Sequence, residues 1–205
     1  MNAAEMGKTS AAEQAAELVE DGMCLGLGTG STVAYLLPAL ARRGLRLRCV
    51  ATSSQTERAA RELGLRVEPF EELDRLDIAI DGADQIAADV WLVKGGGGAH
   101  TREKIVAEAA KRFVVIASPE KRVAVARPPV PVEVLPFGIA ATLRALAPAE
   151  LRDGPFSPDG GLIGDTHAPF ADARRRAQEL DAMPGVVGHG LFAPELVSAV
   201  IIGGE

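Results

Sequence analysis

The chain has 205 residues, 47% of them hydrophobic and 24% charged, and its 22 Lys and Arg against 28 Asp and Glu give a net charge of −6. At roughly 150 residues per domain, this length predicts one or two domains. The composition is ordinary globular usage, which excludes wholesale disorder, a collagen and a disulfide scaffold. The acidic balance, without a dense basic stripe, argues against duplex nucleic acid as a partner.

The sequence shows no targeting signal, so we expect a soluble cytoplasmic protein with no membrane partner. Residues 1–10 lack the basic-then-apolar order of a signal peptide. No apolar run approaches the roughly 18 residues of a membrane span. Cys24 and Cys49 lie in apolar runs and have no C-x-x-C partner, which predicts buried thiols in a reducing compartment rather than redox chemistry.

Strands and helices alternate along the first part of the chain. Pro38 interrupts the second predicted helix, where we expect a bend or an early end. The alternation predicts a mostly parallel sheet covered by helices on both faces. The patterns predict helices at 10–20, 32–41, 55–63 and 99–111, and strands at 23–28, 45–52, 65–68, 77–80, 91–93 and 113–117.

A proline-rich segment marks the candidate domain boundary. Three prolines occur in the five residues 127–131, which predicts a stiff, extended connection. We therefore expect one domain at 1–127 and a smaller α+β domain at 128–195, with the last strand, near 196–203, a candidate to return to the first. Beyond the prolines the patterns predict a loop at 151–159, helices at 139–147 and 171–183, and strands at 132–135, 161–165, 186–192 and 196–202.

The first candidate site is the glycine-rich turn Gly26–Thr32, which follows a predicted strand and opens a predicted helix. Its glycines let the backbone approach an anion, and the helix amides and dipole favour phosphate. Ser31 and Thr32 add hydroxyl donors. No Lys precedes Ser31, as a Walker A loop requires, and Ser31 occupies the third glycine position of a dinucleotide fingerprint. We interpret the turn as a monophosphate site; the alternative is a purely structural turn.

Asp81 and Asp84 form the second candidate, after a predicted strand, where open α/β sheets bind their ligands. Gly82 permits a sharp turn between them. Two carboxylates in one turn can accept hydrogen bonds from sugar hydroxyls, or move protons if one pKa is raised. A capping pair and a divalent-metal site are the alternatives. The metal site is the weaker alternative, because no cluster of carboxylates or histidines accompanies the pair.

Lys94 begins the third candidate and is followed by four glycines, Gly95–Gly98. Because such a run is costly in chain entropy, it implies backbone amides that must approach a ligand, and Lys94 indicates an oxyanion. Glu103 falls in the first turn of the next helix, where a carboxylate can act as a base, although alone it is explained as a helix-start residue. Lys121 and Lys8 stay ambiguous between surface and site.

Together these motifs resemble the ribose-5-phosphate isomerase A family, over most of the chain and most densely over 20–136. The resemblance implies a Rossmann-like domain with a smaller α+β domain that serves oligomerisation, and a homodimer or homotetramer. The matching segments are Gly26–Thr32, Thr52-Ser53, Asp81–Asp84, Lys94–Gly97 and Arg102–Ile105, extended by 131–136, 184–187 and 190–192.

The resemblance also implies a reaction: the interconversion of D-ribose 5-phosphate and D-ribulose 5-phosphate through a cis-enediolate, without cofactor or metal, in the non-oxidative pentose phosphate pathway. Glu103 matches the general base, and Asp81 the carboxylate that aids ring opening and proton traffic between O1 and O2. Asp84 and Lys94 match residues that bind the sugar and stabilise the intermediate. The other positions that match substrate-binding residues are Thr29, Gly30, Ser31, Thr32, Gly82, Ala83, Gly95, Gly96, Gly97, Lys121 and Lys8.

The chain also departs from the family's pattern. Gln85 stands where Glu is usual, His100 replaces an aliphatic residue, and 118–120 differ ahead of Lys121. Residues 137–183 match weakly. Two alternatives remain: an amino-sugar phosphate isomerase-deaminase, and a non-catalytic sugar-phosphate sensor, which would not need a base beside an oxyanion site.

Overall fold

A computed structural model describes residues 2–73 and 75–204. The chain divides into two compact units. The second unit is made of residues 84–101 and 122–194, and the rest of the chain forms the first. The sequence predicted a boundary near residue 127. Residues 84–101 and 122–127 instead belong to the second unit, because their short strands pair there.

The regular elements are numbered in chain order. The helices are α1 (Ala3–Glu17), α2 (Val33–Arg42), α3 (Ser54–Glu62), α4 (His100–Ala109), α5 (Ile139–Leu146) and α6 (Ala173–Asp181). The strands are β1 (Cys24–Leu27), β2 (Arg48–Ala51), β3 (Ile78–Asp81), β4 (Gln85–Ala87), β5 (Leu92–Val93), β6 (Phe113–Ala117), β7 (Arg122–Val123), β8 (Val130–Val134), β9 (Ala149–Leu151), β10 (Leu162–Thr166), β11 (Val186–His189), β12 (Leu191–Phe192) and β13 (Ala199–Ile202).

The first unit is built on a parallel sheet of five strands in the order β13-β6-β3-β1-β2. The expected α/β class with a mostly parallel sheet is confirmed. Leu25, Ile80, Val114 and Ile116 are fully buried and form part of its core. The strand order reverses between β1 and β3, and open α/β sheets bind ligands outside the carboxyl ends of strands at such a switch point.

Two helices of the first unit show how local sequence determines their limits. Asn2 and Glu5 form a reciprocal capping box, so α1 begins at Ala3 and not near the predicted residue 10. Pro38 lies inside α2 without ending it. The helix buries Leu36, Leu37 and other apolar side chains on one face, and this burial outweighs the hydrogen bond that proline cannot donate.

The second unit contains two four-stranded sheets. The strands of one are antiparallel in the order β11-β8-β10-β9, and the other has the order β12-β5-β4-β7. Val132, Val134, Trp91, Leu146 and Leu180 lie in its buried core. Antiparallel strands with two helices, α5 and α6, give the α+β character that the sequence predicts for this part of the chain.

Several predicted limits in the chain are wrong. Residues 65–68 make only an isolated bridge, between Val67 and Cys49, and form no strand. Val130 and Pro131 belong to β8, so the stiff connection is shorter than predicted. The strand β9 extends into the predicted loop, and β4 was not predicted, because three-residue strands carry too little pattern to be recognised.

The predicted strand 186–192 is divided in two at Gly190. The amide of Gly190 donates to the carbonyl of Pro131, and the carbonyl of Gly190 accepts from the amide of Lys94 at 2.8 Å. A Cβ at Gly190 would lie 2.0 Å from the Lys94 carbonyl oxygen, so only glycine allows this approach. The turn therefore anchors the backbone of a candidate site residue.

Candidate functional site

The glycine-rich turn lies between β1 and α2, as predicted. The amide of Gly28 donates to the carbonyl of Ile80, and the amide of Thr29 donates to Oδ1 of Asp81, both at 3.0 Å. Ser31 is exposed, and Gly30 has a φ of +125° that favours glycine. Within the described residues, Thr32 occupies the N-cap of α2 without a capping bond from its hydroxyl. The start of α2 thus presents amides and a dipole suited to an anion.

Threonine hydroxyls beneath this turn fix its shape. Oγ1 of Thr29 lies 2.8 Å from Oγ1 of Thr52, and Oγ1 of Thr56 donates to the carbonyl of Gly28 at 2.9 Å. Ser53 caps α3 by accepting from the amide of Thr56. The sequence indicated Thr52 and Ser53 only through the resemblance and missed Thr56, whose position three residues after a serine N-cap was the available signal.

Asp81 is the last residue of β3 and is only 3% exposed. Its Oδ1 accepts from the amides of Thr29 at 3.0 Å and Gly82 at 2.7 Å. A Cβ at Gly28 would lie 1.9 Å from Cγ of Asp81, so the glycine is required for this packing. Two amide donors stabilise the negative charge and hold the carboxylate at the carboxyl edge of the sheet.

Glu103 lies in the first turn of α4 and is 5% exposed. The helix packs directly on the sheet, because a Cβ at Gly26 would lie 2.4 Å from Cγ1 of Val106 and 3.0 Å from Cβ of Ala79. Since α4 leads into the amino end of β6, its first turn lies toward the carboxyl ends of the strands. Glu103 is therefore buried at the same edge as Asp81.

Lys8 and Lys121 both lie close enough to Glu120 for their charges to act on its carboxylate. The side chain of Ser118 donates to Oε1 of Glu120 at 2.6 Å, and this hydrogen bond is the main reason that the pKa of Glu120 lies below its ordinary value. The positive charges of Lys121 and Lys8 lower that pKa further. Gly7 of α1 packs on this segment, which places Lys8 beside it. Both lysines thus lie near the carboxyl end of β6, at the edge where the parallel strands end. Each lysine is half-buried.

In the second unit, Lys94 is 2% exposed although it carries an ammonium group. Its Nζ lies 5.4 Å from the centre of the Phe192 ring. The aromatic face stabilises the buried cation. The next residue, Gly95, has a φ of +110°, and a Cβ there would lie 2.7 Å from both Nδ1 of His100 and Cβ of Pro131. The loop after Lys94 is thus tightly confined at its start.

Asp84 lies across from this loop within the same unit. Its amide donates to the carbonyl of Val93, and its Oδ2 accepts from the amide of Gly96, both at 2.8 Å. Asp84 is exposed, and Gly96 and Gly97 are exposed beside it. Gly82 and Ala83, both half-buried, connect it to Asp81 along the chain. The hydrogen bond between Asp84 and Gly96 therefore joins the second and third candidate motifs.

Arg152 is a loop-binding residue that the sequence did not reveal. Its Nη1 donates to the carbonyls of Gly95 at 2.7 Å and Gly96 at 3.1 Å. Its Nε and Nη2 donate to the two oxygens of Asp165, at 2.6 and 2.7 Å. These bonds, with the charge of Asp165, raise the pKa of Arg152. An arginine in a predicted loop and an aspartate at the end of a predicted strand gave no pattern that pairs them.

Two departures from the family's pattern have structural explanations. Nε2 of Gln85 donates to the carbonyl of Arg127 at 2.9 Å, and its Oε1 accepts from the amide of Arg127 at 3.1 Å. An ionised glutamate side chain at this position could accept but could not donate, so it could not make both bonds. The second departure, His100, is fully buried and packs against Gly95.

Among residues 2–73 and 75–204 there is no group of three or more His, Cys, Asp and Glu placed to hold a metal ion. No helix in that same part of the chain is long and apolar enough to cross a membrane.

Comparisons with known proteins find relatives of this chain by sequence and by fold. The family model for ribose 5-phosphate isomerase A (phosphoriboisomerase A) matches residues 48–205. The ribose-5-phosphate isomerase A of Nitrobacter hamburgensis is 45% identical over 97% of this chain and 94% of its own length.

Solved structures agree with the sequence matches. The ribose 5-phosphate isomerase A of Methanocaldococcus jannaschii superposes with a TM-score of 0.90 at 35% identity, covering 97% of this chain and 94% of the other. A D-ribose-5-phosphate isomerase in complex with phospho-erythronic acid gives 0.92 at 35% identity, covering 99% and 96%. The chain is therefore an isomerase. It belongs to the ribose 5-phosphate isomerase A family.

Proposed function

We propose that this protein interconverts D-ribose 5-phosphate and D-ribulose 5-phosphate through a cis-enediolate. One observation carries the proposal: Asp81, Lys94 and Glu103, at positions that match the family's motifs, are each no more than 5% exposed. Burial of charged groups is costly, and such groups cluster at functional sites. A sensor that only binds ligand would not need all three.

In the proposed reaction, Glu103 is the general base. Its carboxylate takes the proton from C2 of the open-chain aldose, and the C–H electron pair forms the C1=C2 bond as negative charge moves to O1. Glu103 then returns the proton to C1, while the proton on O2 passes to O1 with the help of Asp81, leaving a carbonyl at C2. General acid–base catalysis of this kind contributes about 10²- to 10⁴-fold to rate.

The intermediate needs a partner for its negative oxygen. In the proposal, the Lys94 ammonium and the amides of Gly95 and Gly97 stabilise that charge as it develops. Asp84, fixed by the amide of Gly96, accepts hydrogen bonds from sugar hydroxyls. The confined backbone around Gly95 supports this role, because preorganised donors do not have to reorganise during the reaction.

The phosphate of the substrate is assigned to the first unit. Thr29–Thr32 and the start of α2 supply amides and hydroxyls, and Lys121 and Lys8 supply positive charge. A group held far from C1 and C2 fixes the reacting atoms in place. The relative solved with phospho-erythronic acid supports a phosphorylated substrate.

The setting of the reaction is part of the same proposal. We place the enzyme in the cytoplasm, in the non-oxidative pentose phosphate pathway, working without a cofactor as a homodimer or homotetramer. On this proposal, the subunit interface covers large exposed apolar side chains of the second unit, such as Phe137, which is 93% exposed, and Phe156. Light scattering on the purified protein gives the subunit number, and a monomer would contradict this part.

The decisive experiment measures ribulose 5-phosphate formation from ribose 5-phosphate in EDTA, with Glu103→Gln beside the wild type. We expect turnover that survives chelation and falls about 10²- to 10⁴-fold in the variant. Glu108→Gln, an exposed position on the same helix, is the matched control and should keep full activity.

Three other outcomes would reject parts of the proposal. Near-normal turnover in Glu103→Gln would remove it as the base. Saturable binding of ribose 5-phosphate without turnover in the wild type would favour a sensor. Ammonia release from glucosamine 6-phosphate, with no pentose activity, would favour an isomerase-deaminase.

A further inference from the structure

The glycine loop Gly95–Gly97 has no side chains of its own to hold it in place. Its amides can serve a ligand only if the peptide planes are fixed, which requires partners for the carbonyl oxygens on their other side. Arg152 supplies them, because one guanidinium nitrogen donates to the carbonyls of Gly95 and Gly96. The loop is therefore held from behind by a side chain that lies far away in the sequence.

Arg152 is itself fixed. Its other two guanidinium nitrogens, Nε and Nη2, donate to the two oxygens of Asp165. This is the two-pronged geometry that makes arginine–carboxylate pairs strong and directional. The side chain of Arg152 is 28% exposed and that of Asp165 14%. The position of the guanidinium is thus set by β10, and the position of the glycine loop is set by the guanidinium.

The peptide group between Gly95 and Gly96 links Arg152 to Asp84. The carbonyl of Gly95 and the amide of Gly96 belong to the same peptide, and that amide donates to Oδ2 of Asp84 at 2.8 Å. A cation bound to the carbonyl polarises the peptide and strengthens its N–H as a donor. Asp165, Arg152, the peptide and Asp84 therefore form one chain in which charges of opposite sign alternate.

We propose that Arg152, anchored by Asp165, is a positioning residue for the reaction. It sets the orientation of Asp84 and of the amides that follow Lys94, and it acts through the Gly95–Gly96 peptide. This inference rests on the proposed function for its effect on rate. Its structural part, the fixing of the loop, is independent of the substrate.

The test uses three variants of the full-length protein. Arg152→Ala removes the whole contact. Arg152→Lys keeps the charge but lacks the fork that can bind Asp165 and two carbonyls together. Asp165→Asn removes the charge that anchors the guanidinium. Arg175→Ala is the matched control, since Arg175 pairs with Glu179 in the same unit, and neither residue binds the loop.

Two readouts are measured for each variant. One is the pair kcat and KM for ribose 5-phosphate, and the other is amide hydrogen exchange over residues 94–101. In Arg152→Ala we expect kcat to fall about 10²-fold with a smaller change in KM, because misplacement by about 1 Å costs that much. We expect faster exchange in the segment, smaller effects in the other two variants and none in Arg175→Ala. Guanidinium ion added to Arg152→Ala should restore part of kcat.

The outcomes separate this inference from the proposed function. If the wild type is active and Arg152→Ala has the same kcat and the same hydrogen exchange, the inference is overturned and the proposed function stands. An inactive wild type would overturn the function, and faster exchange in Arg152→Ala would still support the positioning role. If circular dichroism shows that Arg152→Ala does not fold, the test rests on Arg152→Lys and Asp165→Asn. Wild-type kcat and hydrogen exchange in both of these variants would overturn the inference.

Discussion

The amide of Thr29 donates a 3.0 Å hydrogen bond to Oδ1 of Asp81, and this bond links the two strand ends at the switch point of the parallel sheet. Leu27, two residues before Thr29, and Ile80, one residue before Asp81, are register partners on β1 and β3. The proposed phosphate loop and the proposed proton-transfer acid are therefore positioned together. Any change that moves one of them will also move the other.

Asp81→Asn separates the charge of this residue from its hydrogen bonds. Asparagine keeps an oxygen that can accept from the amides of Thr29 and Gly82, so the variant should unfold within a few degrees of the wild type. Its kcat should fall by about 10²-fold or more, because the neutral amide cannot move protons. Circular dichroism melts and the isomerase assay check the two statements. Wild-type turnover in Asp81→Asn would exclude a role for the charge.

Gly28→Ala should damage both stability and activity. The new Cβ would lie 1.9 Å from Cγ of Asp81, so the carboxylate or the strand must shift. We expect a loss of about 1–3 kcal/mol in the free energy of unfolding, typical of overpacking, and a lower kcat. Urea unfolding measures the first quantity.

Gly154→Ala is the control for that experiment. A Cβ at Gly154 meets nothing within 4 Å among the described residues, and the position is exposed. It should be neutral, or stabilising by about 0.4–1 kcal/mol through the unfolded state. Equal effects of the two substitutions would contradict the packing explanation.

Glu120→Gln should strengthen substrate binding. The carboxylate of Glu120 lies within the electrostatic reach of Lys121 and Lys8 and offsets their charge. Because Glu120 is exposed and screened, we expect KM to fall only about two- to fivefold. The fall should shrink at high salt. Titration of Glu120 adds no pH dependence to this fall between pH 6 and 8, since the pKa of Glu120 lies below its ordinary value and the carboxylate is ionised throughout. Glu71→Gln, also exposed, serves as control, and an unchanged KM in Glu120→Gln would argue against phosphate binding at these lysines.

Asp77, next to the amino end of β3 and so at the opposite end of the strands, makes the free energy of unfolding depend on pH. The pKa of Asp77 is lowered, first by the hydrogen bond from the amide of Cys24 and then by Lys111 and Arg75. The ionised group therefore stabilises the folded state above its unfolded pKa, near 4. That contribution is lost as the pH falls through the lower folded value.

Asp77→Asn should accordingly lower the free energy of unfolding by about 1 kcal/mol at pH 7. The difference from the wild type should decrease as the pH falls below about 4. Urea unfolding at pH 7, 5 and 3.5 measures it, with Asp153→Asn, an exposed loop position, as control. A difference that grows toward low pH would show that the sign is wrong.

The sequence predicted the parallel sheet well because its central strands are continuous apolar runs. The strand 113–117 was predicted with its observed limits, since all five residues are buried and β-forming. The candidate residues near strand ends could be found for a related reason: a polar residue directly after such a run lies at the ligand-binding edge.

What could not be predicted depends on pairing between distant segments. The strand β4 becomes a strand only because β5 and β7 lie beside it. Arg152 reaches the glycine loop across more than fifty residues of sequence, and no local pattern records that bond. Gln85 could be read as a departure from the family, but its two bonds to Arg127 require the folded backbone.

The pairing of β13 with β6 has a consequence for how the chain is made. Residues 122–194, which form most of the second unit, lie between these two strands in the sequence. During synthesis the ribosome must therefore deliver the whole inserted segment before the parallel sheet can receive its edge strand. Until then, β6 presents an open edge that can pair with other chains. The second unit, once it leaves the ribosome, can fold first and bring its two ends into position, shortening the search by which the late strand finds its neighbour.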